Sequence, residues 1–209
     1  MKIVLFGSTG RIGRRILHEG LARGHEVTAI VRDASTMRGD SKNLEFKTGD
    51  VLKAESVAVA TKGADVVISA YGPGAGDACQ IASAAKSLVE GLNANHTARL
   101  IVVGSAGNLQ FSPNQKVLDT PEFTPYKKLA EAHGDELEIL KRSSLDWTVV
   151  SPSVEINEGT RTGRYRTGHD DVLVDPNGKS RISMEDFAVA VLDEAEKPQF
   201  SRARFTVGY

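Results

Sequence analysis

A turn with three glycines near the start of the chain is the first group of residues that could do chemistry. It reads Gly7-Ser8-Thr9-Gly10-Arg11-Ile12-Gly13, with the glycines three positions apart. An apolar run precedes it and an amphipathic stretch follows, and in that context such a turn holds a diphosphate on free backbone N–H groups. Arg11 could add a charged contact. The turn predicts a dinucleotide site, and the alternative is a tight turn with a structural role only.

The end of the second predicted strand bears on the choice of cofactor. An arginine there binds the 2′-phosphate of NADP, whereas an acidic residue binds the free ribose hydroxyls of NAD. Arg32 comes first after the strand and Asp33 second, so the order favours NADP(H) over NAD(H). Asp33 argues for NAD(H), unless its carboxylate caps a turn.

Two further side chains are candidate catalytic residues. Ser105 follows the fifth predicted strand, where its hydroxyl could bind a substrate or the cofactor, or could only cap the turn. Tyr126 comes directly after Pro125 at the start of a predicted helix, and it could line a substrate pocket or only anchor that helix.

Three weaker signals have simpler interpretations. Arg161, Arg164 and Arg166 could bind an acidic substrate such as FMN, but a solvated face of a short hairpin is the favoured interpretation. His169 and its two acidic neighbours have no second histidine at ligand spacing, so no metal site is predicted. The single cysteine, Cys79, excludes an internal disulfide and is expected to be a small, at least half-buried residue.

The elements that position these residues alternate along the first 150 residues. Short apolar runs predict six strands, at residues 2–6, 25–31, 43–47, 64–69, 99–103 and 147–150. Helical patterns predict intervening helices at residues 11–23, 52–62, 78–93 and 125–142. The fold class is therefore α/β, a Rossmann-type doubly wound parallel sheet in three layers.

The last 58 residues are less regular. They contain the arginine-rich stretch, a predicted helix at residues 184–196 and a closing strand at residues 204–207. No linker divides the chain, so we expect a single domain over residues 1–209, in which residues 151–209 form a small substrate-side lobe.

Composition excludes several classes of protein. The 209 residues include 26 basic and 27 acidic side chains, and 40% of them are hydrophobic. This content argues against disorder, and the balanced charge gives no reason to expect a nucleic acid or a membrane as partner. Without a signal segment or an apolar span, a cytoplasmic protein is expected. The sequence leaves open a monomer or a homodimer.

Taken together, the chain resembles the short-chain dehydrogenase/reductase superfamily. It is most similar to the atypical branch that contains flavin reductase-like, NmrA-like and biliverdin reductase B-like proteins. The stretches that show this are residues 2–13, 24–32, 48–51, 69–72, 100–107, 146–152 and 181–192.

The resemblance implies roles for further residues. Asp50 and Val51 would border the adenine ring, and Ser105 would stand at the position of the superfamily's active-site serine. The segment Ala70, Tyr71 and Gly72 would line the nicotinamide ribose. The loop Pro152, Ser153 and Val154 would lie beside the nicotinamide.

One departure from the superfamily bears on the activity. Many members use a tyrosine as general acid with a lysine four positions later, but here Tyr126 is followed at that spacing by Ala130. Without this pair, a flavin or another conjugated acceptor is the expected hydride acceptor, since solvent can supply the proton. The alternative is an NmrA-like redox sensor that binds the nucleotide without turnover, and a sugar-nucleotide epimerase ranks third.

Overall fold

The computed structural model describes residues 1–35, 37–74, 76–95 and 99–209. Within these ranges, three short 3₁₀ helices occur, at Ala106–Asn108, Val117–Asp119 and Pro121–Tyr126. The strands and α-helices along the chain are β1 (Lys2–Phe6), α1 (Arg11–Ala22), β2 (Glu26–Val31), β3 (Leu44–Thr48), α2 (Ala54–Thr61), β4 (Val66–Ser69), α3 (Gln80–Asn95), β5 (Arg99–Val103), β6 (Gln110–Ser112), β7 (Gln115–Lys116), α4 (Lys127–Arg142), β8 (Trp147–Pro152), β9 (Glu155–Asn157), β10 (Arg166–Gly168), β11 (Arg181–Ser183), α5 (Met184–Glu196) and β12 (Ala203–Gly208).

The main sheet confirms the predicted fold class. Its strand order is β10-β12-β8-β5-β4-β1-β2-β3, and all neighbours are parallel except β10 with β12. The six predicted strands are all present, as β1 to β5 and β8. The order reverses between β1 and β4, and a sheet of this kind binds ligands in the crevice at such a reversal.

The strands are apolar because both faces of the sheet are covered. On one face, Leu5 and Ile68 pack in a core cluster with Phe187 of α5 and Ile16 of α1. On the other face, Val67 packs in a cluster with residues of α2, α3 and α4. The resulting three layers hold the carboxyl ends of the parallel strands at one edge, where the predicted site residues follow them.

Residues 151–209 add β10 and β12 to the main sheet and also form a separate two-stranded parallel sheet of β9 and β11. The closing strand β12 lies parallel to β8, and β10 pairs antiparallel with β12. The predicted short hairpin in the arginine-rich stretch is therefore wrong, because the partner of β10 lies about 40 residues further along the chain. Whether this segment faces the substrate stays a prediction.

Two local details also differ from the sequence-based expectations. Residues 125 and 126 belong to the 3₁₀ helix Pro121–Tyr126, so α4 begins only at Lys127. Cys79 is exposed, since it lies in the turn before α3, where its backbone N–H donates to Asp77. In the described part of the chain, no helix is both long enough and apolar enough to cross a membrane.

Candidate functional site

The glycine turn after β1 is packed so closely that side chains would not fit. Gly7 has a φ of +79°, and a Cβ there would lie 2.4 Å from the carbonyl oxygen of Ala70. A Cβ on Gly13 would lie 2.0 Å from the carbonyl oxygen of Gly7, which also accepts the N–H of Gly10 at 3.0 Å. The glycines thus let β1, β4 and α1 converge at the crevice.

The start of α1 presents backbone donors that no side chain caps. Gly10 is the N-cap residue, and the first turn contains no acidic residue. Such a helix terminus attracts anions, and the exposed Arg11 adds positive charge beside it. Ser8 is 2% exposed, and its hydroxyl has no hydrogen-bond partner among the described residues. Buried hydroxyls are normally hydrogen-bonded, so the free Ser8 hydroxyl suits a ligand acceptor. Together with the uncapped helix terminus and Arg11, it fits a site for a diphosphate.

A cavity of about 700 Å³ extends from the glycine turn along the carboxyl ends of β1 to β4. Its size is typical of sites for small molecules and cofactors. It brings together nine of the predicted cofactor-binding residues, namely Gly7, Thr9, Gly10, Arg32, Asp50, Val51, Ala70, Tyr71 and Gly72. The other predicted site residues do not line it, namely Ser8, Arg11, Ile12, Gly13, Ser105, Tyr126, Pro152, Ser153 and Val154.

Arg32 and Asp33 differ in whether their side chains already have hydrogen-bond partners. The Asp33 carboxylate accepts hydrogen bonds from the hydroxyl of Ser35 at 2.6 Å and from its N–H at 2.9 Å. These two bonds, the hydroxyl first, hold the pKa of Asp33 below its usual value. The Arg32 side chain is exposed and forms no hydrogen bond or ion pair within the described residues. Asp33 therefore caps a turn, while the Arg32 guanidinium is available to an anion.

The ends of β3 and β4 form the walls of the cavity. Asp50 is held in its turn, since its N–H donates to Ser56 at 2.9 Å and its carboxylate accepts the N–H of Leu52 at 3.0 Å. Val51 is buried in the core. The hydroxyl of Tyr71 donates to Oε1 of Gln80, the first residue of α3, at 2.7 Å. Burial, followed by the charge of Asp50, raises the pKa of Tyr71.

Beyond β4, the predicted serines are bonded to the backbone. The Ser105 hydroxyl accepts the N–H of Gly107 at 3.1 Å and caps the 3₁₀ helix Ala106–Asn108. The Ser153 hydroxyl is fully buried and donates to the carbonyl of Val207 at 2.9 Å, which ties the end of β8 to β12. Val154 donates its N–H to Ser180 at 3.1 Å.

The environment of Tyr126 explains the missing lysine. Tyr126 is 59% exposed, and its ring packs against Phe123 with 5.5 Å between the centroids. Ala130 is fully buried, and its Cβ lies so near Gly107 that a Cβ there would be 2.4 Å away. A lysine side chain at position 130 would therefore have to displace the turn after Ser105. Lys127 and Lys128 are both exposed.

Comparisons with known proteins also indicate a nucleotide-binding protein. A protein family described as NAD(P)H-binding matches residues 7–195. The chain belongs to this family. The uncharacterized protein YwnB of Bacillus subtilis is 40% identical, across 99% of this chain and 98% of its own.

Solved structures show the same fold over the whole chain. A proposed exported protein of Burkholderia pseudomallei is 43% identical, with a TM-score of 0.90 over 100% of both chains. A proposed epimerase of Bacteroides thetaiotaomicron is 37% identical, with a TM-score of 0.92 over 100% of this chain and 96% of that one. A proposed NADH-flavin reductase of Streptococcus pneumoniae is 33% identical, with a TM-score of 0.87 over 100% of this chain and 99% of that one.

In this NAD(P)H-binding protein, several cavity residues could not be named from sequence patterns. Gly49 lies in the stretch after β3 that also contains the predicted residues Asp50 and Val51, so its position could have suggested a role. Gln80 is the first residue of α3, and no sequence motif marks it as a site residue. The lining residues that the sequence analysis did not assign are Phe6, Ile30, Val31, Met37, Gly49, Leu52, Pro73 and Gln80.

The arginine-rich stretch lies outside the cavity beside the glycine turn. Arg161 forms an ion pair with the buried carboxylate of Glu19 at 2.7 Å, and Arg166 donates to the carbonyls of Val174 and Tyr209. Two of the three arginines therefore hold the C-terminal segment in place. Within the described ranges, no group of three His, Cys, Asp or Glu side chains could hold a metal ion.

Proposed function

We propose that this protein is a reductase that transfers a hydride from NADPH, in preference to NADH, to a flavin or a similar conjugated acceptor. The cavity beside the glycine turn supports the nucleotide half of the proposal most, and the burial of Ala130, where a tyrosine-linked lysine would stand, argues against ketone reduction. Conjugated acceptors need no strong proton donor, because the negative charge left by hydride addition is delocalised over the conjugated system and solvent can supply the proton. The name of the Streptococcus relative, a proposed NADH-flavin reductase, supports a flavin as the acceptor, although it specifies NADH.

The residues of the glycine turn would bind the cofactor. Gly7 and Gly13 allow the turn to pack closely against β4 and α1, the uncapped backbone N–H groups at the start of α1 would hold the diphosphate, and Arg11 adds a positive charge. Arg32 would bind the 2′-phosphate, since Asp33 is held by Ser35. These contacts fix one end of the cofactor, and Ser105, whose hydroxyl hydrogen is still available to an acceptor, would hold the reacting end.

The chemistry follows from this positioning. When bound, the reduced nicotinamide supplies a hydride, which adds two electrons to the acceptor, and solvent supplies the accompanying proton. The chain contributes by orienting the two partners, an effect that accounts for much of the rate of such reactions.

The test is steady-state oxidation of NADPH with FMN, FAD, a quinone and a bilin as acceptors, followed by absorbance. We expect turnover with at least one of them, and slower turnover with NADH at limiting cofactor. If NADPH binds tightly but no acceptor is reduced, the reductase proposal fails.

That result would favour the second candidate, a redox sensor that binds the nucleotide without turnover. The exposure of Tyr126 and the burial of Ala130 leave no acid of the usual kind, which suits a sensor equally. The same absence counts against an epimerase, despite the name of the Bacteroides relative.

The proposal also includes a cytoplasmic location and a small-molecule partner, as expected from the sequence. Cell fractionation in the source organism would test the location directly, and recovery of the protein outside the cytoplasm would contradict it. The Burkholderia relative is named a proposed exported protein, so the location of this protein needs a direct measurement.

A further inference from the structure

Gln80 lies where the cavity wall meets the first turn of α3. It lines the cavity, is half-buried, and accepts the hydroxyl of Tyr71 through Oε1 at 2.7 Å. This bond joins the turn after β4 to α3, so it fixes which way the Gln80 amide points. A side chain held in this way is positioned before any ligand arrives.

The other end of the Gln80 amide has no partner. Its nitrogen, with two N–H donors, forms no hydrogen bond within the residues that the structure describes. Polar groups at a cavity wall that the fold leaves unbonded are the ones that give a ligand its orientation. The Gln80 nitrogen therefore suits a ligand atom with a free lone pair.

The surroundings indicate which part of a dinucleotide lies here. Tyr71 packs against the core cluster that contains Ile30 and Val51, so the Tyr71–Gln80 pair lies on the side of the cavity formed by the ends of β2 and β3. Leu52, also packed against this cluster, adds to the apolar lining, and the polar lining residues include Asp50 and Arg32. An apolar wall with hydrogen-bonding groups at its edge suits a flat aromatic base.

We infer that Gln80, oriented by the Tyr71 hydroxyl, is a specificity-determining residue for the adenosine half of the cofactor, where its amide nitrogen donates to an acceptor atom of the base. This rests on the nucleotide site of the proposed function. It differs from the role that the family resemblance implied for Tyr71, which was contact with the nicotinamide ribose.

The experiment measures binding of two probes by calorimetry. Adenosine 2′,5′-bisphosphate contains the base, whereas inorganic pyrophosphate engages only the glycine turn. The variants are Gln80→Met, which removes the amide at similar length, and Tyr71→Phe, which removes only the hydroxyl. Gln199→Met makes the same change at an exposed position and serves as the control.

Gln80→Met should weaken the adenosine probe about 3- to 10-fold, the usual effect of one lost hydrogen bond, and Tyr71→Phe about 2- to 5-fold. Pyrophosphate affinity and the melting temperature should stay at the control's values. An unchanged adenosine probe in Gln80→Met, or an equal loss with both probes, overturns the role of Gln80. An unchanged probe in Tyr71→Phe overturns the positioning role of Tyr71.

Failure of the proposed function would look different. If wild-type protein bound neither probe, the nucleotide site itself would be wrong, and the role of Gln80 would fall with it. If wild type bound both probes but reduced no acceptor, the inference about Gln80 would stand while the reductase proposal failed.

Discussion

The carboxyl ends of β1 to β4 and those of β5 and β8 differ in which polar groups they leave free beside a cavity. In the first region, the Ser8 hydroxyl, the Arg32 guanidinium and the Gln80 amide nitrogen have no partner within the described residues. In the second region, Ser105 and Ser153 are bonded to the backbone, whereas the fully buried Ser151 hydroxyl has no partner within the described residues. Arg32 and Gln80 line the cavity, and Ser151 does not. Unbonded groups that line a cavity indicate a ligand site, so the molecule specifies its cofactor more clearly than its substrate.

The largest expected effect on binding comes from distorting the glycine turn in the first region. Gly13→Ala would place a Cβ 2.0 Å from the Gly7 carbonyl oxygen, so the turn must shift. We expect NADPH affinity to fall roughly 100-fold and stability to fall by about 1 to 3 kcal/mol. Calorimetry and chemical denaturation measure both.

Gly20→Ala is the matched control on the same helix. A Cβ there meets no atom closer than 3.4 Å, so both quantities should stay near those of wild type. Equal losses in the two variants would show that crowding at the turn is not the cause.

Asp186, in the first turn of α5, provides a contrast outside both regions, because its role is tested by stability instead of binding. Its fully buried carboxylate accepts the N–H groups of Thr162 and Gly163 at 2.7 Å and the hydroxyl of Tyr209 at 2.7 Å. Asp186→Asn should cost about 2 to 3 kcal/mol of folding free energy, because an amide cannot accept all of these bonds. NADPH affinity should not change, and a loss of affinity as large as that in Gly13→Ala would break the contrast.

The same carboxylate predicts a pH dependence. Burial alone would raise the pKa of Asp186, but hydrogen bonds, chiefly from Thr162, outweigh it and leave the pKa lowered. Its contribution to stability is therefore full above the unfolded pKa of about 3.9 and is lost as the pH falls through the lower folded pKa. Denaturation of wild type should show a decline in this acidic range, and the decline should be shallower in Asp186→Asn.

Arg32 gives a smaller effect that sharpens the cofactor side of the comparison. Arg32→Ala should weaken NADPH about 10- to 100-fold, the effect of losing charge-assisted bonds to a phosphate, and should leave NADH nearly unchanged. Titration of both cofactors against both proteins measures the ratio. If the ratio of affinities is the same in the variant, Arg32 does not select the cofactor.

Tyr126→Phe should have the smallest effect. Its hydroxyl is exposed and lies outside the cavity, so turnover with a flavin acceptor should change less than about 2-fold. A drop near 100-fold would instead identify Tyr126 as a proton donor, and reduction of a ketone would again be a candidate reaction.

The cofactor region could be predicted from sequence because its signals are local. The glycines need only their own spacing, and Arg32 needs only its place after a strand. The bond between Tyr71 and Gln80 joins two elements, and the pairing of β10 with β12 crosses about 40 residues, so neither leaves a pattern within one segment. Ala130 shows most clearly what the sequence could not predict. The sequence shows that position 130 holds alanine instead of lysine, but only the structure shows that Ala130 is packed against Gly107.

A crystal structure of the protein grown with saturating NADPH tests the central claim most directly. We predict that the diphosphate lies on the glycine turn at the start of α1, with the 2′-phosphate beside Arg32 and the base near Gln80. A nucleotide bound elsewhere on the molecule, or no bound nucleotide at saturating concentration, would contradict the assignment of this cavity.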